Sequence, residues 1–193
     1  MPLPPFDMRG LLPPFMGEDA ATADRSPYQT TMPELVAAMG TSQHRRGLIR
    51  KLIAYRTLLL GDGYIKGVQF IDGSFVENIE LIRNRPPQDI DVFSILHIPP
   101  KYLNNIHDWI TIGLQFWADE VVHRDKNKDR FSLDTYGIVF EECIGDPMKL
   151  INNTNYWYGL FSHQRETFAW KGFACLALDP DGDQNALDML GGD

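Results

Sequence analysis

Apolar positions in the first third of the chain change period several times. Leu48, Ile49, Leu52, Ile53, Tyr55 and Leu59 recur at helical spacing, and Gly61 and Gly63 close the run. Thr31-Met-Pro-Glu34 has the form of a capping box with proline in the first turn, and Gly40 ends that shorter helix. Val68 to Ile71 then reads as a short strand, and Ile90 to Ile98 as a second one, apolar at nearly every position and therefore central. Lys101 to about Val122 predicts a helix with Leu103, Ile106, Ile110, Leu114, Trp117 and Val121 on one stripe. HRDKNKD, 123–129, predicts a polar loop. Phe131 to Phe140 predicts a third strand, 147–169 an aromatic-rich helix, and Lys171 to Leu178 a late strand. Helices interleaved with three or four strands give a small α/β or α+β domain whose mixed sheet is flanked by helices.

The ends of the chain break this pattern. Residues 1–30 hold the PLPP and LLPPF clusters and predict an extended arm, whose Leu3, Phe6, Leu11, Leu12 and Phe15 suit packing on the domain or on a partner protein. The domain proper is expected over 31–178 and a tail or short helix over 179–193. In that tail Asp179, Asp181 and Asp183 start like a calcium loop. Gln184 then stands where the loop needs glycine, and Leu190 where it needs a bidentate glutamate, so a capped helix is the better reading.

Composition narrows the function classes. The net charge of -8 and pI near 5.0 do not suit broad, sequence-blind DNA binding. No apolar run has the length of a membrane span, and no basic-then-apolar leader opens the chain, so a cytoplasmic protein without a membrane partner is expected. Cys143 and Cys175 each stand alone in apolar surroundings, as reduced core thiols do. His97, His107, His123 and His163 lack zinc-ligand spacing.

Candidate chemistry gathers between the first two strands. Asp89 and Asp91 are two apart at the start of a strand, so both carboxylates point to one face, roughly 7 Å apart. Such a pair suits hard divalent cations such as Mg²⁺, which take one or two carboxylates plus substrate phosphates. In the plainer reading both acids face water and Asp89 caps a turn. Gly73-Ser74 follows the first strand: glycine allows a tight bend and close approach of a ligand, and a helix starting at Ser74 would offer N–H groups to a phosphate. Its plainer reading is an ordinary strand-to-helix turn. Asp134, in FSLDTYGIV, is the candidate third acid, with Glu141 and Glu142 as alternatives. Lys66, Arg83, Arg85 and Lys101 lie nearby in sequence as surface cations or phosphate partners. Tyr156, Trp157, Tyr158, Phe161 and Phe168 form either core or a base-stacking surface.

The stretch IDGSFVENIELIRNRPPQDIDVFSIL resembles the signature of the nucleotidyltransferase superfamily typified by DNA polymerase beta: apolar strand, Gly-Ser, spacer, then Asp-apolar-Asp-apolar. Among its members the chain is most similar to small stand-alone bacterial proteins of unassigned function. The matching pieces are Leu12-Pro13-Pro14, Gly73-Ser74-Phe75, Pro87-Gln88-Asp89-Ile90-Asp91 and Lys171-Gly172. The detailed likeness covers about 67–96. It departs in a longer spacer and in Phe75-Val76-Glu77, where minimal members often carry an arginine-bearing turn. The resemblance implies a nucleotidyltransferase fold that binds a nucleoside triphosphate, ATP foremost, with two Mg²⁺ ions. It puts Gly73 and Ser74 on the triphosphate, and Asp89, Asp91 and Asp134 on metal and catalysis. The acceptor would be a protein side chain or an RNA end, as in a toxin–antitoxin or defence pair. The rival expectation is an inactive member of the same fold that docks on a partner protein.

Overall fold

The computed structural model describes residues 2–19, 21 and 23–191. Of the expected arm, residues 1, 20 and 22 lie outside the described residues, as do 192 and 193 of the expected tail. The fold is α+β, with a five-stranded mixed sheet flanked by helices. Strands β1 (Tyr28–Thr30), β2 (Gly67–Asp72), β3 (Ile90–Leu96), β4 (Leu133–Val139) and β5 (Ala174–Ala177) lie in the order β1-β5-β2-β3-β4. β1 runs parallel to β5 and β3 parallel to β4, while β2 is antiparallel to both β3 and β5.

The alternation of side chains along each strand splits the core in two. Val92 and Leu96 of β3 face the layer built on α1 (Met32–Met39) and α2 (Gln43–Gly61), where Leu48, Ile49, Leu52 and Ile53 are buried. Phe93 points the other way, among Phe70, Ile138, Trp157, Phe161 and Phe173. Trp157 stacks on Phe93 at 5.0 Å between ring centroids. Each helix of the first layer starts as its sequence dictates. The Thr31 side chain accepts from Glu34 N–H, and the Glu34 carboxylate returns the bond to Thr31 N–H. Ser42 caps α2.

The start of the chain packs on the domain, one of its two expected places, with Leu3, Leu11 and Leu12 buried. Several expectations need correction. Residues 28–30 form a strand of the sheet. The predicted 101–122 helix is interrupted. A single turn, Pro100–Leu103, ends at Asn104, and Asn105 caps a new helical run, α4 (106–121). Two stretches of α4, Trp109–Gly113 and Trp117–Val121, bond in the wider π pattern. That widening resets the buried face. Trp109 and Val121 go inward, whereas Leu103, Ile106 and Ile110 are exposed. The predicted polar loop at 123–129 is helix α5 (Arg124–Phe131), which His123 caps by accepting from Lys126 N–H. Asn127 fixes α5 by donating to the Glu120 and Val121 carbonyls and to Thr135 Oγ1. The aromatic helix α6 (Pro147–Phe161) stops earlier than expected, and 162–173 form a closed loop before β5. α7 (Pro180–Leu190) completes the first layer. Among the described residues no helix is long and apolar enough to cross a membrane.

Candidate functional site

Strand register assembles the site. Asp72 ends β2 opposite Asp91, and Asp91 lies opposite Asp134 of β4. Residues directly opposite on paired strands share a face. Three carboxylates therefore stand in one row across the end of β2 and the beginnings of β3 and β4, on the α6 side of the sheet. Asp89, one residue before β3, stands beside the row and shares Lys128 with Asp134.

The bend after β2 is shaped from two sides. Gly73 adopts φ +84°, ψ -166°, and a Cβ there would lie 2.4 Å from Asp91 Oδ2. Only glycine accepts that backbone and that proximity. The bend does not start an α-helix at Ser74, as expected, but a single 3₁₀ turn, Ser74–Val76, followed by the short α3 (Ile79–Arg83). Phe75 and Val76 sink into the core and take the chain with them. From below, buried Arg45 of α2 donates to Phe75 O and Glu77 O, each at 2.6 Å, and to the Glu80 carboxylate. From above, Lys171 Nζ donates to Asp72 Oδ1 at 2.8 Å and Gly73 O at 3.3 Å, and ion-pairs Glu77 at 3.1 Å. Gln164 adds a bond to Glu77 at 3.2 Å.

The electrostatics follow from unequal burial. Asp72 is fully enclosed, and burial pushes its pKa up to about 7 against the pull of Lys171. Burial works against charge on Lys171, but Asp72 and Glu77 outweigh it and hold the ammonium above its ordinary pKa. Asp91 is raised by burial and by its neighbours Asp89 and Asp134, with Arg165 opposing. Its nearest cation is that Arg165 guanidinium, at 3.8 Å. Asp134 resists its own partial burial because Lys128 and Arg124 hold its carboxyl below the usual range. Lys128 reaches across from α5 to Asp89 and to Asp134, the latter at 2.6 Å, and Arg124 meets Asp134 at 3.3 Å.

Asp72, Gly73, Ser74, Asp89 and Asp91 line a cleft of about 290 Å³, together with Arg83, Arg85, Gln88 and Arg165. Asp134 adjoins this group through Lys128. The alternative acids lie elsewhere: Glu141 accepts from His97 and from Ile98 N–H past the far end of β4. Of the four flagged cations, Arg83 and Arg85 line the cleft, while Lys101 pairs with Asp62 and Lys66 hydrogen-bonds His97 through its carbonyl, both at the opposite end of β3. The fold adds Asp72, Glu77, Arg45, Lys128 and Arg165, which the spacing arguments leave out. Asp72 was legible, since an acid preceding Gly-Ser at a strand end shares the face of that strand's other even-spaced residues.

A family model matches residues 4–177. The chain belongs to the DUF6932 family, a family of unknown function. No curated protein and no solved structure matches the chain. The DUF6932 match spans all five strands and every residue of the cleft, and it ends before α7.

The donor set of this DUF6932 site can be weighed against Mg²⁺. Its oxygens are hard carboxylates, and the nearest cation to Asp91, the exposed Arg165 guanidinium, stands 3.8 Å away, which leaves part of the Asp91 carboxylate open to a further positive partner. Among the described residues no three acidic, histidine or cysteine side chains converge as a finished cage. The residues therefore fit an ion held by one or two carboxylates with the remaining ligands supplied by substrate and water, not an all-protein cage.

Proposed function

We propose that the chain is a nucleotidyltransferase. A hydroxyl of a protein or RNA acceptor attacks the α-phosphorus of a nucleoside triphosphate, one P–O bond forms, the bond to the β-phosphate oxygen breaks, and pyrophosphate leaves. The observation that carries this reading is the carboxylate row Asp72–Asp91–Asp134, with a glycine bend closed against Asp91, at the edge of a cleft lined by Arg83, Arg85 and Arg165. Guanidinium groups pair phosphate oxygens in bidentate fashion, and the Gly73-Ser74 bend lets a phosphate approach the backbone. One or two of Asp89, Asp91 and Asp134 would hold Mg²⁺, with phosphate and water as the other ligands, and the bound ion would neutralise charge developing on the phosphates. The hydroxyl's proton passes to a carboxylate of the row.

A second reading is favoured by one contact. Lys128 already bridges Asp89 and Asp134, so the acids have an internal cation. An inactive protein of this fold, acting by docking on a partner, would have that arrangement. The two readings separate in one experiment: incubation with labelled ATP, CTP, GTP or UTP, Mg²⁺ and cell extract. Transfer predicts label on a macromolecule that disappears in Asp89→Ala/Asp91→Ala. Absence of label together with no change of melting midpoint in MgATP favours the docking protein.

A further inference from the structure

A second recess of about 510 Å³ is lined by Gly159, Leu160, His163, Gln164, Arg165 and Phe168. Leu160, His163, Gln164 and Arg165 line both spaces, so the recess adjoins the cleft. Their chemistry differs. The cleft presents carboxylates and guanidinium groups, whereas the recess is bounded mainly by the aliphatic end of α6 and the Phe168 ring. Phe168 is 78% exposed. Its backbone is left-handed, φ +54°, which an aromatic residue adopts only when its surroundings enforce it.

The enforcement is visible. Phe168 N–H donates to Gln164 O at 2.9 Å, Gln164 N–H to Ala169 O at 2.9 Å, and Lys171 N–H to Ser162 O at 2.8 Å. Lys171 then anchors the loop through its buried ammonium. A closed hydrogen-bonded loop thus holds a strained aromatic side chain out toward solvent. Burial does not account for it, because Trp157, Phe161 and Phe173 already fill the core beneath. An exposed, flat, apolar ring on a closed loop, beside an arginine and next to the cleft proposed to take phosphates, is matched by a ligand that joins a flat heterocycle to phosphates.

We infer that the recess is a nucleobase subsite, in which Phe168 stacks on the base of a nucleotide whose phosphates lie in the cleft, with Arg165 between the two. The inference rests on the proposed nucleotide site and goes beyond it by placing the base. Stacking reads the π-face and not the hydrogen-bonding edge, so purines are expected to bind better than pyrimidines without strict selection.

Isothermal titration of the full chain in Mg²⁺ with ATP and with inorganic tripolyphosphate tests the subsite. The wild type is expected to bind ATP roughly tenfold tighter than tripolyphosphate, a difference of about 1.4 kcal/mol. Phe168→Gly removes the ring and relieves the left-handed backbone. It should reduce ATP to the tripolyphosphate level, leave tripolyphosphate unchanged and not lower the melting midpoint. Phe168→Trp should keep the preference. Equal affinities in the wild type, or a preference that survives in Phe168→Gly, overturn the subsite and leave the phosphate site standing. Loss of tripolyphosphate binding with a lowered midpoint in Phe168→Gly assigns the ring to structure and also overturns it. No binding of either ligand to the wild type overturns the subsite and the proposed function together.

Discussion

Replacing Gly73 with alanine would place a methyl carbon 2.4 Å from Asp91 Oδ2 and 3.2 Å from its Cγ. Ordinary contacts lie near 3.5 Å, so the carboxylate must retreat by about 1 Å or the bend must open. The backbone adds a second cost, because φ +84° with ψ -166° belongs to a region that only glycine occupies freely, at roughly 1–3 kcal/mol for other residues. Overpacking at a tight contact costs a similar roughly 1–3 kcal/mol. Partial relaxation brings the sum to about 2–4 kcal/mol, or roughly 5–15 °C in melting midpoint for a chain of this size. Gly47→Ala is the control. Gly47 lies within α2, and a Cβ there meets nothing within 4 Å, so the change should stabilise by about 0.5–1 kcal/mol. Urea unfolding of both variants measures the difference as a shift in transition midpoint at constant slope. MgATP binding by Gly73→Ala should also fall, because the displaced group is Asp91. A Gly73→Ala stability within roughly 0.5 kcal/mol of wild type would refute the account of the bend.

Two further outcomes follow from the same geometry. Asp72 and Glu77 share one buried ammonium, and Asp72 keeps its proton in the folded state up to about 7, whereas the unfolded chain releases it near 3.8. Folding stability from this group therefore declines as pH rises through that window. Asparagine cannot ionise, so the stability advantage of wild type over Asp72→Asn should shrink by up to about 3 kcal/mol between pH 5 and pH 8 in urea titrations; a constant difference would contradict it. Lys128→Met removes the cation between Asp89 and Asp134, so Mg²⁺ should raise the melting midpoint of the variant more than that of the wild type. An equal or smaller rise would show that these acids do not recruit the ion.

How much could be read in advance depended on range. The Thr31 capping box, the α2 stripe, the β2 and β3 strands and the acids of β3 are local patterns, and each stands within a few residues of where the sequence put it. The π-bonded turns of α4 were not legible, because an i→i+5 pattern shifts the buried face without any change in composition. Helix α5 was hidden by its polarity. Of its eight residues only Asn127 and Phe131 are buried, and its charged side chains face Asp89, Asp134 and Glu120 instead of a core. The candidate site divides the same way. Gly73, Asp89 and Asp91 announce themselves by spacing. The alignment of Asp91 with Asp134 needed the parallel pairing of β3 and β4, which no local pattern specifies.

The tie between Lys171 and the Asp72–Gly73 bend joins residues 99 positions apart. Translation makes the bend long before it makes the lysine. A nascent chain can therefore pair β2 with β3 while Asp72 and Glu77 still lack their shared counterion. The cleft therefore takes its final shape only after the segment carrying residue 171 has left the ribosome, and a ligand that needs Asp72, Gly73 and Glu77 in their folded places meets them no earlier.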